Sequence, residues 1–93
     1  MIRSFADTET ERLFITGRSR RLPSDVLQRA KRKLQILDSA ADLKDLASPP
    51  GNRLESLRGD RQGQHSIRIN DQFRLCFRWK EGDAYDVEVA DYH

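Results

Sequence analysis

The 93-residue chain ends on Asp91-Tyr92-His93, an acid, a phenol and an imidazole in a row. Chain ends usually fray and carry simple charged residues. Here the three hydrogen-bonding side chains follow directly on an alternating segment, Tyr85-Asp86-Val87-Glu88-Val89. Such a segment pairs into a sheet, which holds the three groups at the rim of a rigid scaffold. An imidazole titrating at about pH 6.5 moves protons at neutral pH. Arginine offers a fixed charge and a two-pronged donor for phosphate, and tyrosine stacks on a base or donates a hydrogen bond. RNA cleavage by attack of a 2′-OH on its own phosphate asks for these groups. It needs a base for the hydroxyl, a donor for the departing 5′-oxygen, and cations for the charge that builds on phosphorus. Arg58, Arg61, Arg74, Tyr92 and His93 together meet that demand without a metal ion.

The elements that must position these residues follow from periodicity. Ile2 to Phe5 suits a short first strand. Thr8-Glu9-Thr10-Glu11 has the form of a capping box, with a hydroxyl at the cap and a carboxylate three residues on. It opens a helix carrying Leu13 and Phe14 that stops near Gly17, and Arg18-Ser19-Arg20-Arg21 is then a basic loop. Ser24 is the expected N-cap of a second helix, with Asp25 at the positive end of its dipole. Leu27, Ala30, Leu34, Leu37 and Ala41 form one apolar stripe, with Arg29, Arg32 and Lys33 mostly off it. A further helical turn between Ala41 and Ala47 ends at Ser48-Pro49-Pro50-Gly51.

The second half reads as strands. Leu54 to Leu57 is short and weakly patterned, and Gly59-Asp60-Arg61-Gln62-Gly63 is a turn-rich loop. Ser66 to Ile69 alternates, Asn70-Asp71 supplies turn chemistry, and Phe73 to Lys80 alternates strictly. Phe73, Leu75, Phe77 and Trp79 share one face of that strand; Arg74, Cys76, Arg78 and Lys80 share the other. After a turn at Glu81-Gly82-Asp83, the last strand is expected to point Tyr85, Val87 and Val89 inward. Asp86, Glu88, Ala90 and Tyr92 then point outward. The expectation is one α+β domain spanning residues 1–93, with N-terminal helices packed on one face of a small antiparallel sheet. The order of the strands does not follow from this pattern.

Composition narrows the function classes. The chain is 37% hydrophobic and 34% charged, with a mean hydropathy of −0.80. No apolar run approaches the roughly 20 residues that span a bilayer. Met1 to Asp7 lacks the apolar stretch of a signal peptide, so a cytoplasmic location is expected. The lone Cys76 makes neither an internal disulfide nor a zinc site by itself. Among the 17 basic residues only Lys31, Lys33, Lys44 and Lys80 are not arginine, and the net charge is +2. The last strand is acidic and the body before it basic, a balance that permits nucleic-acid binding without requiring it.

With helices on one face of the sheet, the other collects Arg68, Arg74, Arg78 and Tyr92, and antiparallel sheets often leave such a face wet. Arg78 is expected to pair across strands with Glu88, a weak exposed contact. Arg74 lies near a turn with fewer acids in reach. Cys76 reads as a small packing residue, His65 as structural and Tyr85 as core. The loop from Arg18 to Arg21 suits phosphate binding and plain solvation equally.

Several segments carry a resemblance. They are Met1-Ile2-Arg3-Ser4-Phe5, Pro49-Pro50-Gly51-Asn52-Arg53-Leu54, Gly59-Asp60-Arg61-x-Gly63-x-x-Ser66-Ile67, Phe73-Arg74-Leu75-x-Phe77, Gly82-Asp83-Ala84-Tyr85 and Asp91-Tyr92-His93. In combination they resemble the HigB-type toxins, the killer proteins of bacterial toxin–antitoxin systems in the RelE-like superfamily. The resemblance implies a RelE-like fold and a ribosome-dependent, metal-independent endoribonuclease. Such an enzyme cuts mRNA in the ribosomal A site and so arrests translation and growth. It implies no cofactor, no membrane and a HigA-type helix-turn-helix antitoxin, through which alone operator DNA is contacted. By position, Asp91, Tyr92 and His93 match the family's C-terminal active-site residues and Arg74 its sheet arginine. Arg58 stands where some members carry lysine, and Glu55 where some carry histidine. The roles implied are phosphate stabilisation by Arg74 and Arg58, proton transfer by His93, substrate orientation by Tyr92, support of the terminus by Asp91 and base catalysis by Glu55. Arg18, Arg20, Arg21, Arg61, Arg68 and Arg78 are the expected RNA or ribosome contacts. Two other readings stay open. One is a toxin fold that binds the ribosome or a biogenesis factor without cutting RNA, which Glu55 keeps in play. The other is a ParE-type inhibitor of DNA topology enzymes, against which the terminal tyrosine and histidine argue.

Overall fold

The computed structural model describes residues 1–92; His93, assigned above to proton transfer, lies outside the described residues. Three helices come first: α1 (Thr8–Thr16), α2 (Ser24–Ser39) and α3 (Leu43–Ala47). Four strands follow, β1 (Glu55–Ser56), β2 (His65–Arg68), β3 (Phe73–Lys80) and β4 (Asp83–Asp91), with single 3-10 turns at Pro50–Asn52 and Gly59–Arg61. The strands form one antiparallel sheet in the order β1-β2-β3-β4. This is the α+β arrangement expected, with helices on one face of the sheet; the order of the strands, which the sequence pattern leaves open, is that of the chain.

Local chemistry shifts two helix starts from their expected places. Asp7, not Thr8, caps α1, its carboxylate accepting the Thr10 amide at 2.7 Å. A charged acceptor answers the helix dipole better than a hydroxyl, so the cap moves back one residue. Burial pulls the Asp7 carboxyl upward, but backbone and side-chain hydrogen bonds from Thr10, with the Arg21 guanidinium, outweigh it and hold the group below its ordinary value. In α2 the cap position falls on Pro23, whose φ of −58° suits the entry, and Ser24 is the first helical residue. The buried stripe of α2 is Val26, Ala30, Leu34 and Leu37, followed by Ala40; Leu27 is half-buried and Ala41 exposed. The stripe therefore sits one residue round the helix at each end from the spacing expected. It packs on Ile67, Leu75, Phe77, Val87 and Val89 of the sheet, with Leu13 and Leu46 completing the core.

Turns fix the register. Asn70 Oδ1 accepts the amides of Gln72 and Phe73 at 2.9 and 2.7 Å, closing the β2–β3 connection. Between β3 and β4, Glu81 and Gly82 both take positive φ (51° and 83°), the backbone that a two-residue hairpin requires. One departure follows in β4. Cys76 pairs with Glu88 but Arg78 pairs with Tyr85, so Phe77 faces two residues, Asp86 and Val87. Asp86 is the inserted residue, with φ of 52°. This bulge corrects the expected parity. Ala84 takes the buried position, and Tyr85 turns to the face of Arg78 and is half-buried. Val87 and Val89 point inward as expected.

β4 would otherwise be a bare edge. The N-terminal segment runs parallel to it through bridges at Ile2–Ala84 and Phe5–Val87. The amides of Ala84 and Val87 donate to the carbonyls of Met1 and Ser4 (2.9 and 3.1 Å), and the Asp86 amide to Ser4 Oγ (2.9 Å). The Val89 amide donates to the buried Thr10 hydroxyl at 3.0 Å. A buried amide without its acceptor costs about 1–3 kcal/mol. Thr10→Val should lower stability by about that amount in chemical denaturation, and Thr10→Ser by clearly less; equal losses would exclude this hydrogen bond as the cause. Because the folded Asp7 carboxyl titrates below its unfolded value, its stabilisation is present above about pH 4 and is lost as pH falls through the lower folded value. Asp7→Asn should therefore lower stability at neutral pH and flatten the acid limb of a stability–pH profile. A parallel, unflattened limb would contradict that origin.

Candidate active site on the open sheet face

Register builds the floor of the site. Glu55, Ser66, Cys76 and Glu88 stand in one row across the four strands, and Arg68, Arg74 and Ala90 stand in the next. These positions alternate with Ile67, Leu75 and Val89, which face the helices, so both rows lie on the open face.

Arg74 is the best-held cation among them. Its Nε donates to Ser66 Oγ at 2.7 Å, one Nη donates to the Arg53 carbonyl at 2.6 Å, and the other lies 3.5 Å from Glu55 Oε1. The Arg74 side chain is only 12% exposed. Arg53 has left-handed backbone (φ 46°), following the fully buried Asn52. Asn52 donates to the Leu46 carbonyl at 3.0 Å and accepts from the Lys33 ammonium. The loop that offers the carbonyl is thus fixed from beneath. The expectation that Arg74 has few acids in reach is corrected: the pairing of β1 with β2 swings Glu55 onto the same face.

Arg61 comes from the loop after β1. Its Nη1 donates to Glu88 Oε1 (3.0 Å) and Gln64 Oε1 (3.1 Å), and the Glu88 hydrogen bond raises its pKa further. With Glu88 engaged there, the expected Arg78–Glu88 pair does not form. Arg78 instead meets Asp86 at 3.4 Å, at the bulge. Arg78 lies on the open face as expected, Arg61 reaches the same face through Glu88, and Arg58 is exposed just before the 3-10 turn at Gly59.

Tyr92 reaches back over the same face. Its phenol lies 4.0 Å from the buried Cys76 Sγ, with the small Ala90 occupying the outward position between them in sequence. Burial, then Cys76, pushes the Tyr92 phenol up, and burial pushes the Cys76 thiol up. Both stay protonated at neutral pH, so Tyr92 is a hydrogen-bond donor rather than a base, and Cys76 is a packing group rather than a nucleophile. The Tyr92 amide donates to the Gln72 carbonyl at 2.6 Å, which fixes where the chain leaves the sheet. Asp91 diverges from Tyr92. It pairs in register with Phe73, faces the helix side, accepts from Gln72 Nε2 at 3.2 Å and borders a cavity of about 370 Å³ with Glu9, Arg21, Phe73 and Val89.

The basic loop does not join this face. Arg21 pairs with Asp7 at 3.1 Å, the Arg20 amide donates to Glu9 at 3.4 Å, and Arg18 and Arg20 border a shallow depression with Arg12 and Thr16. Arg18, Arg20 and Arg21 therefore lie on the helix side of the sheet. Arg68 is on the open face, paired with Asp71. His65 is half-buried against Phe77 (centroids 6.0 Å apart) and 3.4 Å from Ser56 Oγ, and burial pushes its pKa down, in keeping with a structural role. Sequence reasoning missed Ser66, the Arg53 carbonyl and Asn52. Ser66 was readable, since it alternates with Ile67; a backbone acceptor leaves no sequence signal. Among the described residues, no three His, Cys, Asp or Glu side chains are placed to share a metal ion.

The arrangement is an oriented guanidinium beside an exposed carboxylate, with a protonated phenol and a second arginine on the same face. It can hold a phosphodiester and polarise it. The chain is similar to known proteins over nearly its whole length. The family model described as "RelE-like toxin of type II toxin-antitoxin system HigB" matches residues 3–93. Toxin HigB-1 of Vibrio cholerae is 44% identical over 88 residues, covering 94% of this chain and 93% of that protein. Endoribonuclease HigB of Proteus vulgaris is 33% identical over 93 residues, the full length of both. The solved YoeB-YefM complex from Staphylococcus aureus contains a chain of the same fold, with a TM-score of 0.61 at 14% identity, covering 100% of this chain and 98% of that one. The chain belongs to the HigB-like toxins, the RelE-like toxins of type II toxin–antitoxin systems.

Proposed function

We propose that this toxin is a ribosome-dependent endoribonuclease that cuts mRNA in the A site by attack of a 2′-OH on the adjacent phosphate. The observation that carries this reading is Arg74. Its guanidinium is oriented by two neutral oxygens, so most of its charge remains available to an anion, and Glu55 stands at its edge. A phosphate on Arg74 brings its own 2′-OH toward Glu55, which accepts the proton. Arg74 then stabilises the charge that develops on phosphorus. Tyr92 donates to the substrate or stacks on a base, and Arg58 and Arg61 add positive charge at the rim. His93, the residue after Tyr92, protonates the departing 5′-oxygen. Asp91 holds the terminus through Gln72. The chemistry uses no metal.

As a type II toxin the protein works against an antitoxin; we assign that partner to the HigA type, with a helix-turn-helix domain that alone meets operator DNA. No helix among the described residues is long and apolar enough to cross a membrane; we assign the toxin to the cytoplasm because the proposed substrate is ribosome-bound mRNA.

Arg74→Ala should lower cleavage of ribosome-bound mRNA by about a hundredfold or more and abolish growth arrest, with circular dichroism unchanged. Soluble Arg74→Ala protein that remained fully toxic would overturn the site. Glu55→Gln separates base from spectator: loss of a proton acceptor should cost about 10²–10⁴-fold in rate. An unchanged rate would remove Glu55 from the chemistry and leave it as a partner of Arg74.

A further inference from the structure

Arg68 and Arg74 are direct cross-strand partners on the open face. Like charges placed directly opposite destabilise a sheet unless something lies between them. Arg74 has Glu55 and two neutral oxygens. Arg68 pairs with Asp71, whose side chain is 98% exposed and therefore gives a weak, screened counterion. A third cation stands behind them. Lys33 reaches from α2 to the buried Asn52, and its pKa is lowered by burial and then by the charges of Arg32 and Arg68. β1 pairs only with His65 and Ser66, so the Arg68 end of β2 has no strand partner on that side, and Arg68 is half-buried there. The run Lys33–Arg68–Arg74 is thus continuous positive charge from α2 round the sheet edge to the candidate active site. It is held by neutral groups and by carboxylates that can swing away.

We propose that Lys33 and Arg68 form a second phosphate subsite, which binds the RNA phosphodiester next to the one held by Arg74 and displaces Asp71 from Arg68. Successive phosphates of one strand then lie along one row of cations, and the strand enters past the Arg68 end of β2. This subsite rests on the reading of Arg74 as the cleavage site. It adds a direction to that site and a residue, Lys33, from the helix layer.

The test is binding of a short single-stranded RNA, made non-cleavable by 2′-O-methyl substitution throughout, as a function of salt. Each phosphate contact on a single strand contributes about −0.7 to the slope of log affinity against log salt, so losing one costs about fivefold at about 0.1 M salt. Arg68→Gln and Lys33→Met should each weaken binding by about that factor and flatten the slope. Asp71→Asn, which removes the competing carboxylate, should tighten binding. The same variants on empty ribosomes show whether the phosphate comes from the message or from ribosomal RNA; a loss with either ligand supports the subsite. Wild-type affinity and slope for Arg68→Gln and Asp71→Asn with both ligands would overturn it. Arg74→Ala runs alongside as a separate control: if it cleaves normally while Arg68→Gln binds poorly, the active-site assignment fails and the anion subsite stands.

Discussion

The amides of Ala84 and Val87 donate to carbonyls of the N-terminal segment, and the amide of Val89 donates to the buried hydroxyl of Thr10. These bonds tie the outer edge of β4 to residues 1–10, and the open face depends on them. β4 ends at Asp91 and Tyr92 follows it directly, so the position of this strand decides where Tyr92 sits relative to Arg74. An edge strand held only by its inner neighbour frays from its end. Here the satisfied outer amides carry rigidity almost to the last residues, and the Tyr92 amide adds one more bond to Gln72. Thr10 belongs to the first turn of α1 and also bonds Asp7, so helix start and strand end are joined through one side chain.

The second constraint is electrostatic. An arginine paired fully with carboxylates is well oriented but neutralised. Arg74 is oriented by a hydroxyl and a carbonyl instead, and its one carboxylate partner, Glu55, is mostly exposed. Its charge therefore stays available at low cost in reorganisation, the condition for stabilising charge that builds during a reaction. Arg61 is arranged differently. It is committed to Glu88 and Gln64 and serves first to fold its loop over the sheet.

Much of this was legible in the chain. Strict alternation in Phe73–Lys80 assigned Arg74 to the open face, and the apolar stripe of α2 placed the helix layer on the other. Tyr92 fell on the correct face because the parity of Val87 and Val89 carries through to it. Tyr85 did not, because an inserted residue at Asp86 reverses parity within the strand, and Asp tolerates a positive φ without by itself marking one. The expected Arg78–Glu88 pair failed for a tertiary reason: Arg61, distant in sequence, takes Glu88 first. The same holds for Glu55, whose approach to Arg74 needs the pairing of a two-residue strand that its own sequence barely signals. Residues of one charge on one chain do not form one surface by type alone, and so Arg18, Arg20 and Arg21 stand on the far side of the sheet from Arg74.

The account makes the substrate's own 2′-OH the nucleophile, with the open face supplying charge and proton transfer. The most direct measurement uses two mRNAs on otherwise identical programmed ribosomes, one natural and one with a single 2′-deoxynucleotide on the 5′ side of the cut. The account predicts cleavage of the first, leaving a 2′,3′-cyclic phosphate, and no cleavage of the second at that bond. Cleavage of the deoxy-substituted message at the same bond would contradict it.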